Sequence, residues 1–99
     1  MQLFVVIGFD GQDSEAPARR AATRPSHLEY GKPFVESGTI KYGGPLLNKD
    51  GNMIGSMMVI ESSSEEALRA EFLANEPYVT QGVWETFTIY PFQLAPHFA

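Results

Sequence analysis

Cysteine is absent from this 99-residue chain, and only two histidines occur, His27 and His97. The absence of cysteine excludes disulfide bonds, thiolate catalysis and cysteine-based zinc sites. Two histidines far apart in the sequence leave only carboxylates to complete a metal site, so we expect no metal. Proton transfer at a histidine needs no cofactor, and we expect none.

Basic residues are also scarce. Seven lysines and arginines stand against twelve acidic residues, which gives a formal net charge of −5. Surfaces that bind nucleic acids need clustered basic side chains to replace counterions, and the basic residues here are scattered. The charge therefore argues against a nucleic-acid partner.

No hydrophobic run is long enough to span a membrane. The apolar segment at residues 1–8 has no basic region before it, and residues 9–13 end it too early for a signal peptide. We expect a soluble cytoplasmic protein with no membrane partner. Hydrophobic residues make up 43% of the chain and charged residues 19%, which is typical of one small globular domain over residues 1–99.

The first third of the chain predicts a strand and then a helix. Residues 2–9 are rich in β-branched and aromatic side chains and end at a turn, so they form a strand. Asp13 or Ser14 can cap a helix that covers residues 16–22. Pro25 then either kinks this helix or restarts it, with the proline in the first turn of the second piece.

The rest of the chain predicts a hairpin, a helix and a last strand. The first hairpin strand loosens into a bend at Gly43-Gly44-Pro45. Ser62 with Glu65, and Ser63 with Glu66, have the spacing of a capping box. The predicted elements are strands at residues 38–47 and 53–61 around a turn at 48–51, a helix at 67–73 and a strand at 83–90.

The resulting order, β-α-β-β-α-β, predicts an α+β fold of the ferredoxin-like type. In this fold two helices cover one face of a four-stranded antiparallel sheet. The first strand is nevertheless apolar on both faces, and so is the third. On the first strand, Leu3, Val5, Ile7 and Phe9 alternate with Phe4 and Val6.

An apolar sheet face left in water is typical of an interface. We therefore expect a homodimer in which the two sheets pack face to face. A chain of about 100 residues buries only about 60–70% of its surface alone, which also favours a partner subunit. The alternative is a monomer in which residues 92–99 cover this face.

His27 is the leading candidate for chemistry, because imidazole titrates near neutral pH and exchanges a proton without a metal. A helix restarted at Pro25 would place His27 in a first turn, which disfavours a positive charge on the ring. A structural hydrogen bond is the alternative role for a lone helical histidine. Arg24 is a candidate for holding an anionic substrate, or for pairing with Glu29 at the surface.

Several short motifs follow one another along nearly the whole chain: Arg24-Pro25-x-His27-Leu28-x-Tyr30, Gly43-Gly44-Pro45-Leu46-Leu47, Gly51, Gly55-Ser56, Glu76-Pro77-Tyr78 and Gly82-Val83. In this order and spacing they resemble the YciI (YCII-related) family. The resemblance implies a dimeric α+β barrel. It also implies an active-site His–Asp pair in a cleft between the helix ends and the sheet.

Under this resemblance the family histidine corresponds to His27, and the family's Asp-Pro-Tyr motif corresponds to Glu76-Pro77-Tyr78. Glu76 stands where the family has aspartate, and its extra methylene can lengthen, rotate or abolish the contact with the imidazole. The tyrosine hydroxyls are candidate donors to an oxyanion, or ordinary residues of a dimer rim. Our candidate substrate-binding residues are Arg24, Tyr30, Gly44, Pro45, Ser56 and Tyr78.

The leading hypothesis is a small dimeric enzyme in which His27 acts as a general base, oriented by Glu76. A histidine base oriented by a carboxylate suits isomerisation or elimination next to a carbonyl of a small organic molecule. The resemblance points the same way, since similar dimeric barrels include muconolactone isomerases and YciI-like proteins are linked to dehydrochlorination of aromatic catabolites. The alternative is a non-catalytic dimer that binds or senses a small metabolite through His27.

Overall fold

The computed structural model describes all 99 residues. The elements are β1 (Gln2–Asp10), α1 (Ala16–Glu36), β2 (Ile40–Leu47), β3 (Met53–Ser62), α2 (Glu65–Glu71), α3 (Pro77–Thr80) and β4 (Trp84–Phe92). Short 3₁₀ turns lie at Leu73–Asn75 and Pro96–Phe98. The strands form one four-stranded antiparallel sheet in the order β2-β3-β1-β4. This confirms the predicted ferredoxin-like α+β fold, with one additional short helix.

The core lies between the sheet and the helices. In β1, Phe4 and Val6 face the helices and pair with Ile60 and Met58 of β3. Full burial of one such side chain contributes about 1.5–3 kcal/mol. The buried cluster comprises Phe4, Val6, Ile40, Met58, Ile60, Leu68, Phe72, Leu73, Tyr78, Val83 and Trp84.

The opposite side of the sheet stays uncovered, and we call it the open sheet face. Its most exposed members are Phe9, Tyr42 and Tyr90, which are 47%, 73% and 54% accessible. Every residue from 92 to 99 is exposed, so the C-terminal segment does not bury this face as the monomer alternative required. By strand register the open sheet face comprises Leu3, Val5, Ile7, Phe9, Tyr42, Met57, Val59, Tyr90 and Phe92.

Helix α1 is one continuous helix, so of the two alternatives for Pro25, a kink or a restart, the restart is wrong. Its N-cap is Glu15, without a side-chain cap, so the predicted caps at Asp13 and Ser14 are also wrong. The Asp13 carboxylate instead pairs with Arg19 at 2.7 Å. An internal proline removes one helical hydrogen bond, at a cost of about 3 kcal/mol, and the packing of α1 against the sheet and α3 offsets that loss.

The continuity of α1 changes the expected environment of His27. The residue lies in the interior of the helix, one turn or more from either end. The effect of a helix N-terminus fades within the first turn. That effect therefore does not act on the imidazole.

The predicted hairpin is confirmed by the pairing of β2 with β3. The Asn48 side-chain oxygen accepts hydrogen bonds from two backbone N–H groups of the turn, and Gly51 adopts a positive φ of 84°. The predicted bend at Gly43-Gly44-Pro45 is wrong, because these residues stay in register with β3. Strand β2 lies at the sheet edge, where the missing N–H of a proline is tolerated.

Neither predicted capping box forms, because the N-cap of helix α2 lies two residues after Ser62 and one residue after Ser63. Its N-cap is Ser64, whose Oγ accepts a hydrogen bond from the Ala67 N–H at 3.0 Å. Ser62 still belongs to β3, and its hydroxyl donates to the Ser64 carbonyl. None of the helices combines the length and the apolar composition that crossing a bilayer requires.

Candidate active site

Glu76 is held in place by the start of helix α3. It is the N-cap residue, with extended backbone, and Pro77 follows it in the first turn. Proline favours an extended conformation in the residue before it and suits the first helical position. The carboxylate atom Oε2 accepts a hydrogen bond from the Tyr78 N–H at 3.0 Å. One oxygen of Glu76 therefore caps the helix, and the other is available to a second partner.

That second partner is His27. The imidazole atom Nδ1 lies 2.5 Å from Glu76 Oε1. The Glu76 side chain is fully buried and that of His27 is 20% exposed. A carboxylate accepts and does not donate, so the Nδ1–H donates and the ring tautomer is fixed by the contact. The additional methylene of glutamate does not separate the two groups.

The ring of Tyr78 stacks on the ring of His27. The ring centres lie 3.8 Å apart and the planes differ by 5°. The Arg20 guanidinium lies over the Tyr78 ring, 4.8 Å from its centre. Tyr78 is 1% exposed, so it forms a fixed aromatic support for the imidazole.

A cavity of about 620 Å³ opens between α1, β2 and β3 beside this stack. His27, Tyr78 and four other candidate residues line it, which are Arg24, Gly44, Pro45 and Ser56. Arg24 is exposed and forms no ion pair with Glu29 or any other carboxylate. The cavity thus combines an imidazole, a free guanidinium and apolar side chains such as Ile40, Met58 and Phe72.

Tyr30 is the one candidate substrate-binding residue that does not line the cavity. Its hydroxyl donates to the Phe72 carbonyl at 2.6 Å, and its ring packs against Phe34 and Phe72. Burial raises the pKa of the Tyr30 hydroxyl, and the nearby Glu76 charge adds to the effect. The structure thus engages the Tyr30 hydroxyl with a backbone carbonyl, and a contact between this hydroxyl and substrate stays a prediction.

Burial also raises the pKa of the Tyr78 hydroxyl above its ordinary value. The positive charges of Arg20 and Arg24 act in the opposite direction, and Glu76 reinforces the rise. Tyr78 is therefore a neutral phenol at neutral pH. A neutral phenol retains its proton as a hydrogen-bond donor.

A buried network that the sequence analysis missed lies next to the pair. Arg20 Nη1 donates to both oxygens of Asp10, at 2.9 and 3.1 Å, and Arg20 Nη2 donates to Ser56 Oγ at 2.8 Å. The side chains of Arg20 and Asp10 are only 7% and 5% exposed.

No part of the chain brings together three or more histidine, cysteine or carboxylate residues that could hold a metal ion.

Helical spacing offered a signal for Arg20. Arg20, Arg24, His27 and Gly31 follow one another at intervals of four, three and four residues, and all line the cavity. Such spacing places side chains on one face of a helix. Asp10 likewise shares the buried face of β1 with Phe4 and Val6.

Comparison with known proteins settles the family. The sequence model of the YCII-related domain matches residues 2–93. Protein YciI of Escherichia coli O6:H1 is 31% identical over 97 residues, which covers 92% of this chain and 96% of that protein. The chain belongs to the YCII-related domain family. The resemblance that the motifs indicated is thereby confirmed.

A second relative is named for a biosynthesis cluster. The derivative of benzaldehyde biosynthesis cluster protein C of Emericella nidulans is 43% identical over 70 residues, which covers 64% of this chain and 70% of that protein. The chain is therefore similar both to protein YciI and to a protein named for a biosynthesis cluster.

Two solved structures support the fold. The 5-chloro-2-hydroxyhydroquinone dehydrochlorinase of Burkholderia phenoliruptrix, in complex with 2,5-dihydroxybenzoquinone, superposes with a TM-score of 0.80. It is 24% identical, and the match covers 96% of this chain and 97% of that one. A dimeric ferredoxin-like protein of unknown function from Jannaschia sp. CCS1 gives a TM-score of 0.56 at 12% identity, over 95% of this chain and 100% of that one.

Proposed function

We propose that this YCII-related protein is a small enzyme in which His27, oriented by Glu76, moves a proton on a small enolisable or hydroxylated cyclic molecule. The reaction type is isomerisation or elimination. The contact between His27 Nδ1 and the buried Glu76 carboxylate carries the proposal. It assigns the proton of the neutral ring to Nδ1 and leaves Nε2 as the basic nitrogen.

The proposed reaction begins with substrate in the cavity beside His27. Nε2 takes a proton from a carbon next to a carbonyl, and the electron pair of the C–H bond moves toward the carbonyl oxygen. The Glu76 carboxylate stabilises the resulting imidazolium through Nδ1–H, as the carboxylate does in a catalytic triad. Return of the proton to another carbon completes an isomerisation, and departure of a leaving group completes an elimination.

The names of similar proteins support the substrate class. The solved structure with the higher TM-score is a dehydrochlorinase that acts on a chlorinated hydroquinone and was solved with a dihydroxybenzoquinone. Two relatives come from fungal biosynthesis clusters, one of them for xenovulene A. A cavity of about 620 Å³ is within the size range of small-molecule sites.

We also propose that the protein acts as a homodimer that buries the open sheet face. A contiguous apolar surface containing Tyr42, Tyr90 and Phe92 is unusual on a soluble monomer. The dimeric ferredoxin-like neighbour supports the same assembly class.

Hydrogen–deuterium exchange tests the proposed proton transfer. The protein is incubated in D₂O with 2,5-dihydroxybenzoquinone and with a panel of cyclic 1,2- and 1,3-diketones, and NMR follows exchange at the ring carbons. His27→Gln is expected to slow the catalysed exchange about 10²- to 10⁴-fold, the usual contribution of a general base. His97→Gln is the matched control, because His97 lies exposed in the C-terminal 3₁₀ turn.

Two outcomes would contradict the proposal. Exchange that is equally fast with His27→Gln would mean that His27 is not the base. Binding of a panel member without exchange, together with loss of that binding in His27→Gln, would favour the alternative of a non-catalytic binding or sensing protein.

A further inference from the structure

The buried network behind the cavity leaves two hydrogen-bond donors without a partner in the chain, the Arg20 Nε–H and the Ser56 hydroxyl, and we follow the hydroxyl here. Arginine has donors only, so the 2.8 Å contact with Arg20 Nη2 makes Ser56 Oγ the acceptor. The hydroxyl proton of Ser56 forms no hydrogen bond to any protein group. Ser56 is 3% exposed and lines the same cavity as His27.

The network holds this hydroxyl in a fixed position. Asp10 at the end of β1 fixes Arg20 on α1 through two hydrogen bonds, and Arg20 fixes Ser56 on β3. Three separate elements of the fold are therefore joined at the Arg20 guanidinium, and one of its N–H groups holds the Ser56 oxygen. A hydrogen bond accepted from a guanidinium draws electron density from the serine oxygen, which makes its own proton a stronger donor.

We infer that Ser56 is the binding residue for an oxyanion, and that the ligand of this cavity is a molecule that carries an enolate or phenolate oxygen. The inference rests on the proposed function, because the oxyanion is the species that proton transfer to His27 creates. A preorganised donor aimed at the developing charge is a common source of rate enhancement.

The chemistry balances within the site. When Nε2 of His27 removes the proton, the C–H bond breaks and an N–H bond forms. The electron pair of that C–H bond becomes the new carbon–carbon double bond, and the carbonyl oxygen gains the negative charge. The Ser56 O–H donates to this oxygen and keeps its own proton throughout. No oxidant, reductant or metal takes part.

The spectrum of bound 4-nitrophenol tests the oxyanion site without any need for catalysis. Its ionised and neutral forms absorb at different wavelengths, so titration of the wild-type protein measures how strongly the site prefers phenolate over phenol. We expect a clear preference for phenolate. Ser56→Ala is expected to reduce that preference about 10- to 100-fold, because hydrogen bonds to charged groups contribute about 1.5–3 kcal/mol.

The control variants separate loss of the donor from loss of the fold. Ser56→Ala leaves Arg20 Nη2 without its acceptor, so Ser56→Cys is measured as a second variant that keeps a weak acceptor and a weak donor. It is expected to reduce the preference in the same direction. Ser63→Ala changes an exposed serine and is expected to leave the preference unchanged. 4-Nitroanisole, which has no ionisable oxygen, is expected to bind equally to wild type and to each Ser56 variant.

Two results would overturn the inference. One is the absence of a phenolate preference in the wild-type protein. The other is an equal preference in wild type and both Ser56 variants. Measurement in His27→Gln keeps this test distinct from that of the proposed function. If His27→Gln retains full exchange activity, the proposed base is wrong, and the phenolate preference still decides the role of Ser56.

Discussion

The imidazole of His27 and the phenol ring of Tyr78 lie face to face, 3.8 Å apart and within 5° of parallel. Tyr78 also supplies the N–H that the Glu76 carboxylate caps. A segment of three residues at the start of α3 thus fixes the imidazole in two ways, by a hydrogen bond at its edge and by an aromatic ring against its face. The position of the candidate base depends on this segment.

The stack predicts different effects for two substitutions of Tyr78. Tyr78→Phe keeps the ring and removes a hydroxyl that has no hydrogen bond within the chain, so the free energy of unfolding is expected to change by about 1 kcal/mol or less. Tyr78→Leu removes the stack and changes the shape of the core, which is expected to cost about 1–3 kcal/mol. Urea unfolding measures both. Equal stability of the two variants would contradict a structural contribution from the stack.

Alkaline pH is expected to destabilise the fold through buried tyrosines. Burial raises the pKa of Tyr78 and Tyr30 above the ordinary value of 10.0. The folded chain therefore binds these two phenol protons more tightly than the unfolded chain. Their contribution to the free energy of unfolding is complete below pH 10.0 and is lost as the pH rises further. The free energy of unfolding of Tyr78→Phe should fall less steeply above that pH. Parallel pH profiles for wild type and variant would argue against the raised pKa of Tyr78.

The buried Asp10–Arg20 pair predicts a strong asymmetry between single and double substitutions. Asp10→Ala leaves a buried guanidinium without its carboxylate, and we expect a loss of about 3–5 kcal/mol. Asp10→Ala combined with Arg20→Met removes both charges and should cost less than the single change. Glu65→Gln disrupts the exposed pair with Arg69 and should cost about 0–1 kcal/mol. A double variant less stable than Asp10→Ala would contradict this account.

The proposed dimer predicts that a charged side chain placed on the open sheet face lowers the mass of the particle in solution. Ile7 lies on this face in the central strand β1, and Ile7→Glu is expected to convert a two-chain particle into a one-chain particle in sedimentation velocity. Thr80→Glu, at the exposed end of α3, should leave the mass unchanged. A one-chain mass for the wild-type protein at micromolar concentration would rule out a stable dimer.

Much of the fold was predictable because strand and hairpin patterns are local. The alternation in β1 indicated both the buried residues Phe4 and Val6 and the open sheet face opposite them. The wrong predictions occurred at the helix caps, at Pro25 and at Gly43-Gly44-Pro45, where local signals compete with tertiary packing. Pro25 is a strong helix breaker in isolation. Helix α1 nevertheless continues through it, because α1 packs against the sheet and against α3.

The candidate site was predictable only in part. The resemblance brought His27 and Glu76 together, although 49 residues separate them along the chain. Arg20 was missed because an Arg-Arg dipeptide in a helix is typical of a solvated face, and only the tertiary structure buries one of the two. Tyr30 was assigned to substrate because a hydroxyl near a histidine is chemically suitable. The Phe72 carbonyl that it contacts lies in the predicted helix at residues 67–73, but sequence spacing does not show that this carbonyl reaches Tyr30, 42 residues away.

The tautomer of His27 tests the central claim most directly. Nitrogen-15 NMR of the imidazole, recorded through a pH titration, identifies which ring nitrogen carries the proton in the neutral form, with exposed His97 as the internal reference. The account predicts that the proton lies on Nδ1, donated to Glu76, and that Nε2 is unprotonated toward the cavity. A neutral His27 that carries its proton on Nε2 would contradict it.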